Sequence, residues 1–259
     1  MDAAIGATRI EIDGAGSAIV FVHGLGGTSN SFQALLGALG GFRCIRPDLP
    51  GSGRSPRPFQ ALSMEHFAAI IAEIIQKFGG GPAHLVGHSM GTLVCQHVAA
   101  RLPELVRSLT LFGPIVDPAE AARQRLKDRA RLARQEGLIG IADAAVAGAL
   151  SSTSKSANPL AAPLIRESHM RQDAEGFAQT CEALAAAEPA DLRFLRSPTL
   201  IVTGDEDAVA PPSVAQALAD KVKGSRVKVL EHCGHWTPIE RPLDCARLLA
   251  EHVRAHEAA

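Results

Sequence analysis

The feature that most constrains this chain is the pentad Gly87-His88-Ser89-Met90-Gly91, lodged between an apolar run and a helical pattern. Ala83-His84-Leu85-Val86 reads as a short buried strand, and Thr92 to Arg101 as a helix with Leu93, Val94, His97 and Val98 on one face. A strand that turns at once into a helix forces its corner residue into a strained backbone conformation. Side chains two positions to either side would then collide, which calls for glycine at 87 and 91. Ser89 holds the corner, so its hydroxyl is expected to project from the end of the strand as a nucleophile.

Upstream of the corner, short apolar runs alternate with amphipathic helical patterns: Ala18 to Val22, a helix from about Ser31, Arg43 to Arg46, and a helix from Met64 to Phe78. A further strand follows at Leu109 to Phe112. Strands separated by helices predict an α/β fold with a mostly parallel sheet, and sites in such sheets gather at the carboxyl ends of the strands. From Pro114 to about Pro189 the chain is Ala-rich and helical in pattern, broken by Ser151-Ser152-Thr153-Ser154 and by Asn158 to Pro163. Alternation resumes at Thr199 to Thr203 and Arg226 to Leu230 and closes on a helix from Leu243 to His252. The expected organisation is a core made of residues 1–113 and 190–259, interrupted by a helical cap over 114–189.

Composition narrows the partners. Lys and Arg (26) nearly cancel Asp and Glu (27), leaving a formal net charge of -1 and no field to hold nucleic acid or an acidic membrane surface. No apolar run approaches the roughly 18 residues of a membrane span, and Met1 to Asp13 has neither a basic start nor a long apolar centre. The expected setting is the cytoplasm and the expected partner a small molecule. The five cysteines, Cys44, Cys95, Cys181, Cys233 and Cys245, have neither disulfide-framework nor metal-site spacing and read as reduced thiols.

A serine hydroxyl is a poor nucleophile alone; it needs a base in hydrogen-bond reach and a carboxylate to fix that base's tautomer. Among ten histidines, His235 is the one on a Gly-flanked loop directly after a late strand, in Glu231-His232-Cys233-Gly234-His235-Trp236, with His232 as its local rival. The acid should come from Gly204-Asp205-Glu206-Asp207, where three adjacent carboxylates leave the choice open. His232 and His235 lack a third ligand of suitable spacing, so no metal is expected.

These residues, in the order serine, acid, histidine, resemble the α/β-hydrolase superfamily. Further points of likeness are the His23-Gly24 turn, Asp48 to Ser55, the Gly-x-x-Asp-x-x-x-Pro pattern from Gly204 to Pro211, and Gly234-His235 followed by Glu240 and Pro242. The resemblance implies an α/β-hydrolase fold, Asp207 as the acid with Asp205 as the alternative, and an oxyanion hole made by the backbone N–H groups of Leu25 and Met90. It implies no cofactor. Glu240 reads as an anchor for the histidine loop.

Serine at position 89 and the absence of tyrosine set the chain apart from the haloalkane dehalogenase and epoxide hydrolase branches. It is similar instead to the 3-oxoadipate enol-lactonase and small-molecule carboxylesterase branch, which implies hydrolysis of a carboxylic ester or lactone. The alternative is a carbon-carbon hydrolase of aromatic meta-cleavage products, where a tryptophan also follows the histidine; a non-catalytic ligand receptor is a third reading. Trp236 therefore stands either against substrate or as packing between the histidine loop and the cap. The basic run from Arg123 to Arg134 reads as a solvated helix face, and Arg166 or Arg171 could clamp a substrate carboxylate.

Overall fold

The computed structural model describes residues 2–257. Its strands are β1 (Asp2–Ile5), β2 (Thr8–Gly14), β3 (Ser17–Val22), β4 (Phe42–Pro47), β5 (Ala83–His88), β6 (Val106–Phe112), β7 (Thr199–Gly204) and β8 (Arg226–Leu230). They form one sheet in the order β1-β2-β4-β3-β5-β6-β7-β8. Pairs from β4 through β8 are parallel, whereas β1 with β2 and β2 with β4 are antiparallel.

The inner strands are apolar on both faces because helices cover both. Along β3, Val20 and Val22 enter one core with Leu85, Leu109 and Leu111, while Ile19 and Phe21 enter the other with Val86, Phe112 and Val202. That is the two-residue period of a strand sorted between two hydrophobic layers. The edge strand β8 exposes Arg226 and Lys228, charges that discourage pairing with another chain.

The helices of the first half are α1 (Met64–Ile74) and α2 (Met90–Arg101). Ser63 starts α1 by accepting the His66 N–H at 3.1 Å. Between β6 and β7 lie α3 (Glu120–Glu136), α4 (Ile139–Ala149), α5 (Ser152–Ala157), α6 (Ala161–Met170) and α7 (Ala174–Ala185). Three helices follow: α8 (Pro212–Ala219), α9 (Thr237–Glu240) and α10 (Pro242–Ala255). On α3, Leu126, Ala130 and Ala133 join the core cluster of Phe177, Cys181 and Leu184 from α7, while Arg134 reaches Glu175 and Glu182 on the solvent side. Among the described residues no helix is long and apolar enough to cross a membrane.

Three elements differ from the sequence expectation. The segment expected to be a helix from about Ser31 is a 3₁₀ stretch over Ser29–Ala38, started by Thr28, whose hydroxyl accepts the Asn30 N–H. The Ser-rich break is only a corner. Ser151 accepts the Ser154 N–H and thereby opens α5. The β1–β2 hairpin precedes the first strand expected, and its short alternation of apolar and charged residues is a weak signal.

The strand order reverses at β3, whose neighbours are β4 on one side and β5 on the other. In an open sheet of this kind, the crevice at the carboxyl ends of the strands beside such a reversal is where ligands bind. Ser89 follows β5 immediately.

Candidate active site

Ser89 sits at φ 53° and ψ -124°, a conformation that costs a non-glycine residue about 1–3 kcal/mol. Packing leaves it no alternative. A Cβ at Gly91 would lie 2.0 Å from the Val22 carbonyl oxygen, and one at Gly87 would lie 2.7 Å from the Gly91 carbonyl oxygen and from the Thr92 Cα. The corner can therefore be this tight only with glycine at both positions. It is pinned by the Ser89 N–H donating to the Phe112 carbonyl at 2.9 Å and by the Thr92 hydroxyl donating to the Ser89 carbonyl at 2.6 Å.

Two later loops reach the same point. The loop after β7 turns one of its three carboxylates inward: Asp207 is 3% exposed, and its Oδ1 accepts the N–H groups of Val209 at 2.8 Å and Ala210 at 2.7 Å. Asp205 instead accepts the Cys233 N–H at 3.0 Å, and Glu206 accepts the Ser152 N–H at 2.9 Å. The loop after β8 delivers His235. Its Nδ1 lies 2.8 Å from Asp207 Oδ2 and its Nε2 2.8 Å from Ser89 Oγ. His232, the rival, is exposed. Burial works to raise the Asp207 pKa, but the attraction and hydrogen bond of His235, with the two backbone donors, outweigh it and hold the carboxyl below its usual range. With Asp207 ionised, Nδ1 of His235 carries the proton and Nε2 faces the serine as an acceptor. The line of atoms can take a proton from Ser89 and return it.

The histidine loop is held from several sides. Glu240 accepts the N–H groups of Ser151 at 2.9 Å, Gly234 at 2.9 Å and Trp236 at 3.0 Å. The His235 N–H donates to the Ala149 carbonyl at 2.8 Å. Beneath the ring, a Cβ at Gly113 would come within 3.0 Å of His235 Nδ1 and Cε1. His88 donates from Nε2 to the His235 carbonyl at 2.9 Å; burial, reinforced by the facing His235, pushes its pKa down to about 3 and keeps it neutral. The local sequence pattern singles out neither the support His88 gives this loop nor Gly113. A glycine directly after a strand that ends beside the nucleophile was the available signal.

On the other flank, the loop after β3 passes so close that a Cβ at Gly24 would fall 2.8 Å from the Ser89 Cβ. His23 braces it: Nε2 accepts the Leu49 N–H at 2.9 Å, which leaves Nδ1–H to donate to the Gly24 carbonyl at 2.8 Å. Burial lowers the pKa of His23 and keeps this ring neutral. Asp48 ties the next loop down, accepting the N–H of Ser29 at 2.7 Å and the Nε–H of Arg54 at 2.8 Å. Met90 opens α2, where an N–H has no preceding helical carbonyl to meet, and the Gly24–Gly27 turn leaves the Leu25 N–H outside its own hydrogen bond.

Trp236 is 4% exposed, packed with Leu150, Ala161 and Ile165, its ring centroid 5.0 Å from that of His88 and 5.6 Å from that of His169. Arg166 extends to Asp143 at 2.7 Å in a solvent-exposed pair, and Arg171 is exposed at the end of α6. Neither is joined to the Ser89–His235–Asp207 group. The five cysteines are all buried, and burial raises the pKa of each.

A strained serine at a strand–helix corner, facing a histidine and an aspartate from the two following loops of a mostly parallel sheet, is a hydrolase arrangement. Residues 17–242 match the family described as alpha/beta hydrolase fold, and the chain belongs to that family. It is 32% identical over 239 residues to the pimeloyl-[acyl-carrier protein] methyl ester esterase of Neisseria meningitidis serogroup B, covering 84% of this chain and 85% of that one. It is 28% identical over 269 residues to the 2-hydroxymuconate semialdehyde hydrolase of Pseudomonas sp. strain CF600, covering 97% and 92%. Among solved structures, the enol-lactonase from Burkholderia xenovorans LB400 superposes with a TM-score of 0.88 at 26% identity, covering 98% of this chain and 100% of that one.

Proposed function

We propose that the chain is a serine hydrolase that cleaves a carboxylic ester or lactone of a small molecule through an acyl-enzyme. Ser89 Oγ attacks the carbonyl carbon while His235 Nε2 takes its proton, and Asp207 stabilises the imidazolium. The N–H groups of Leu25 and Met90 receive the oxyanion, each worth roughly a hundred- to a thousand-fold in rate. Collapse of the tetrahedral species expels the alcohol oxygen, which takes the proton from His235. Water then attacks the acyl-serine with His235 again accepting the proton, and the carboxylic acid leaves. Residues 114–189 serve as the cap over this centre.

The observation that carries the reading is the unbroken line of two 2.8 Å contacts from Ser89 through His235 to the buried Asp207. The ester or lactone bond is favoured by the Neisseria esterase and the Burkholderia enol-lactonase, each named for such a bond. Carbon-carbon hydrolysis, the activity named in the Pseudomonas relative, is the second reading. Its sequence support was Trp236, and that ring is used in packing between His88 and His169. Arg166 and Arg171 have no part in the reading, since the first is paired with Asp143 and both lie toward solvent.

A panel of p-nitrophenyl acetate, short-chain enol-lactones and a ring-cleavage dienone separates the readings. Turnover of the first two and not the third is expected, with Ser89→Ala near background on each. Preferred turnover of the dienone would transfer the assignment to carbon-carbon hydrolysis, and no turnover of any would favour a receptor.

A further inference from the structure

The amide of Leu25 lies in a turn that ought to be soft. Residues 24, 26 and 27 are glycine, and the only bond inside the turn runs from the Gly27 N–H to the Gly24 carbonyl at 3.0 Å. Gly26 has φ +73°, the value required at the third residue of a type II turn, and in such a turn the N–H of the second residue, here Leu25, points away unpaired. A donor aimed at a developing oxyanion must be held within a few tenths of an ångström; a misplacement of about 1 Å costs on the order of a hundredfold.

His23 holds the near end of the turn. The far end is held from α6 and the residues just after it, by three side chains that converge on two glycines. Ser168 Oγ–H donates to the Gly26 carbonyl at 2.6 Å. The Gln172 amide, itself 8% exposed, lies 3.3 Å from the Gly27 carbonyl, 3.4 Å from that of Gly26 and 2.7 Å from that of Ser168, while its Oε1 accepts the Gly53 N–H at 3.0 Å. The His169 ring, fixed by its Nδ1–H to the Ile165 carbonyl at 2.8 Å, covers Gly26 so closely that a Cβ there would fall 2.4 Å from Nε2.

We infer that Ser168 and Gln172 are positioning residues for catalysis: they fix the Gly26–Gly27 carbonyls and so aim the Leu25 N–H at the oxyanion. This rests on the oxyanion role given to Leu25 above. It makes the helical segment a working part of the centre, because α6 cannot lift from the sheet edge without releasing the turn.

The test compares Ser168→Ala, Ser168→Thr and Gln172→Ala with the parent enzyme. Three readouts are used: turnover of p-nitrophenyl acetate, inhibition by an aryl trifluoromethyl ketone, which forms an oxyanion adduct on serine, and inhibition by the matching methyl ketone, which binds without one. Both alanine variants are expected to lose about 10- to 100-fold in kcat with KM within about twofold. Trifluoromethyl ketone affinity should weaken by the same factor, methyl ketone affinity should hold, and Ser168→Thr should restore both rate and affinity. Unchanged trifluoromethyl ketone affinity in the alanine variants, or no rescue by threonine, would overturn the inference. If Gln172→Ala does not fold, Ser168→Ala, which removes one oxygen, decides the matter. Turnover retained by Ser89→Ala would instead bring down the acyl-enzyme reading, whatever Ser168 and Gln172 do.

Discussion

Glu240→Gln tests the mounting of the histidine loop without changing its shape. One oxygen of Glu240 receives the N–H groups of Ser151 and Gly234, both at 2.9 Å, and the other receives the Trp236 N–H at 3.0 Å. A glutamine keeps at most one of those oxygens. Its better orientation leaves the oxygen on Ser151 and Gly234 and turns an NH₂ against the Trp236 N–H. Hydrogen bonds to a charged acceptor contribute about 1.5–3 kcal/mol and neutral ones about 0.5–1.5, so two bonds weaken by about 1 kcal/mol each and the third is lost with a buried donor left bare, at about 1–3 kcal/mol. Relief of the desolvation of a buried charge offsets part of this, and a net loss of about 3 kcal/mol follows. In a domain of this size each kcal/mol moves Tm by about 2–4 °C, so thermal melts followed by circular dichroism should fall by roughly 6–12 °C. The variant should stay folded at 25 °C, since native domains hold about 5–15 kcal/mol. A Tm within about 2 °C of the parent would refute the reasoning, because three such bonds cannot be rearranged at so little cost.

Three further outcomes are expected. In Asp207→Asn, the amide oxygen stays with the N–H groups of Val209 and Ala210, the NH₂ faces His235, and Nδ1 must accept; Nε2 then carries the proton toward Ser89, so kcat for p-nitrophenyl acetate should drop roughly ten-thousand-fold while the fold survives. Burial holds His88 at about 3 and His252 at about 4, and lowers His23, His84, His97 and His169, against about 6.5 when unfolded. Below about pH 6.5 the unfolded chain therefore binds more protons, and the urea midpoint should fall steadily from there toward pH 4, whereas a flat midpoint down to about pH 4.5 would contradict neutral burial of these rings. Gly24→Ala puts a methyl 2.8 Å from the Ser89 Cβ and 3.0 Å from the His88 carbonyl oxygen, so activity should fall at least tenfold with a smaller change in Tm; unaltered kcat would mean that the loop lies farther from the serine than 2.8 Å implies.

The sequence exposed whatever depends on local pattern. The β5 corner needs glycine at 87 and 91 for steric reasons that act within five residues, and the inner strands announce themselves as short β-branched runs because both of their faces are buried. Features that depend on long-range packing left little trace. Nothing in Ser168 or Gln172 distinguishes them from other polar residues of the 114–189 segment, since their acceptors on Gly26 and Gly27 lie more than 140 positions away. The inward turn of Asp207 instead of Asp205 is likewise decided by where the Val209 and Ala210 amides fall. The helix expected from about Ser31 is present at Ser29–Ala38 as 3₁₀ and not α, a distinction the sequence does not carry because the two periods, about 3.0 and 3.6 residues per turn, are so close.

The central claim is that Ser89 becomes acylated by the substrate. Peptide mapping by mass spectrometry after acid quench of the parent enzyme with p-nitrophenyl butyrate, and in parallel after reaction with diethyl p-nitrophenyl phosphate, reads this directly. A butyryl and a diethylphosphoryl group on the peptide carrying Ser89, both absent from Ser89→Ala, are the predicted result; either label on another residue, or hydrolysis at the parent rate by the unlabelled variant, would contradict it.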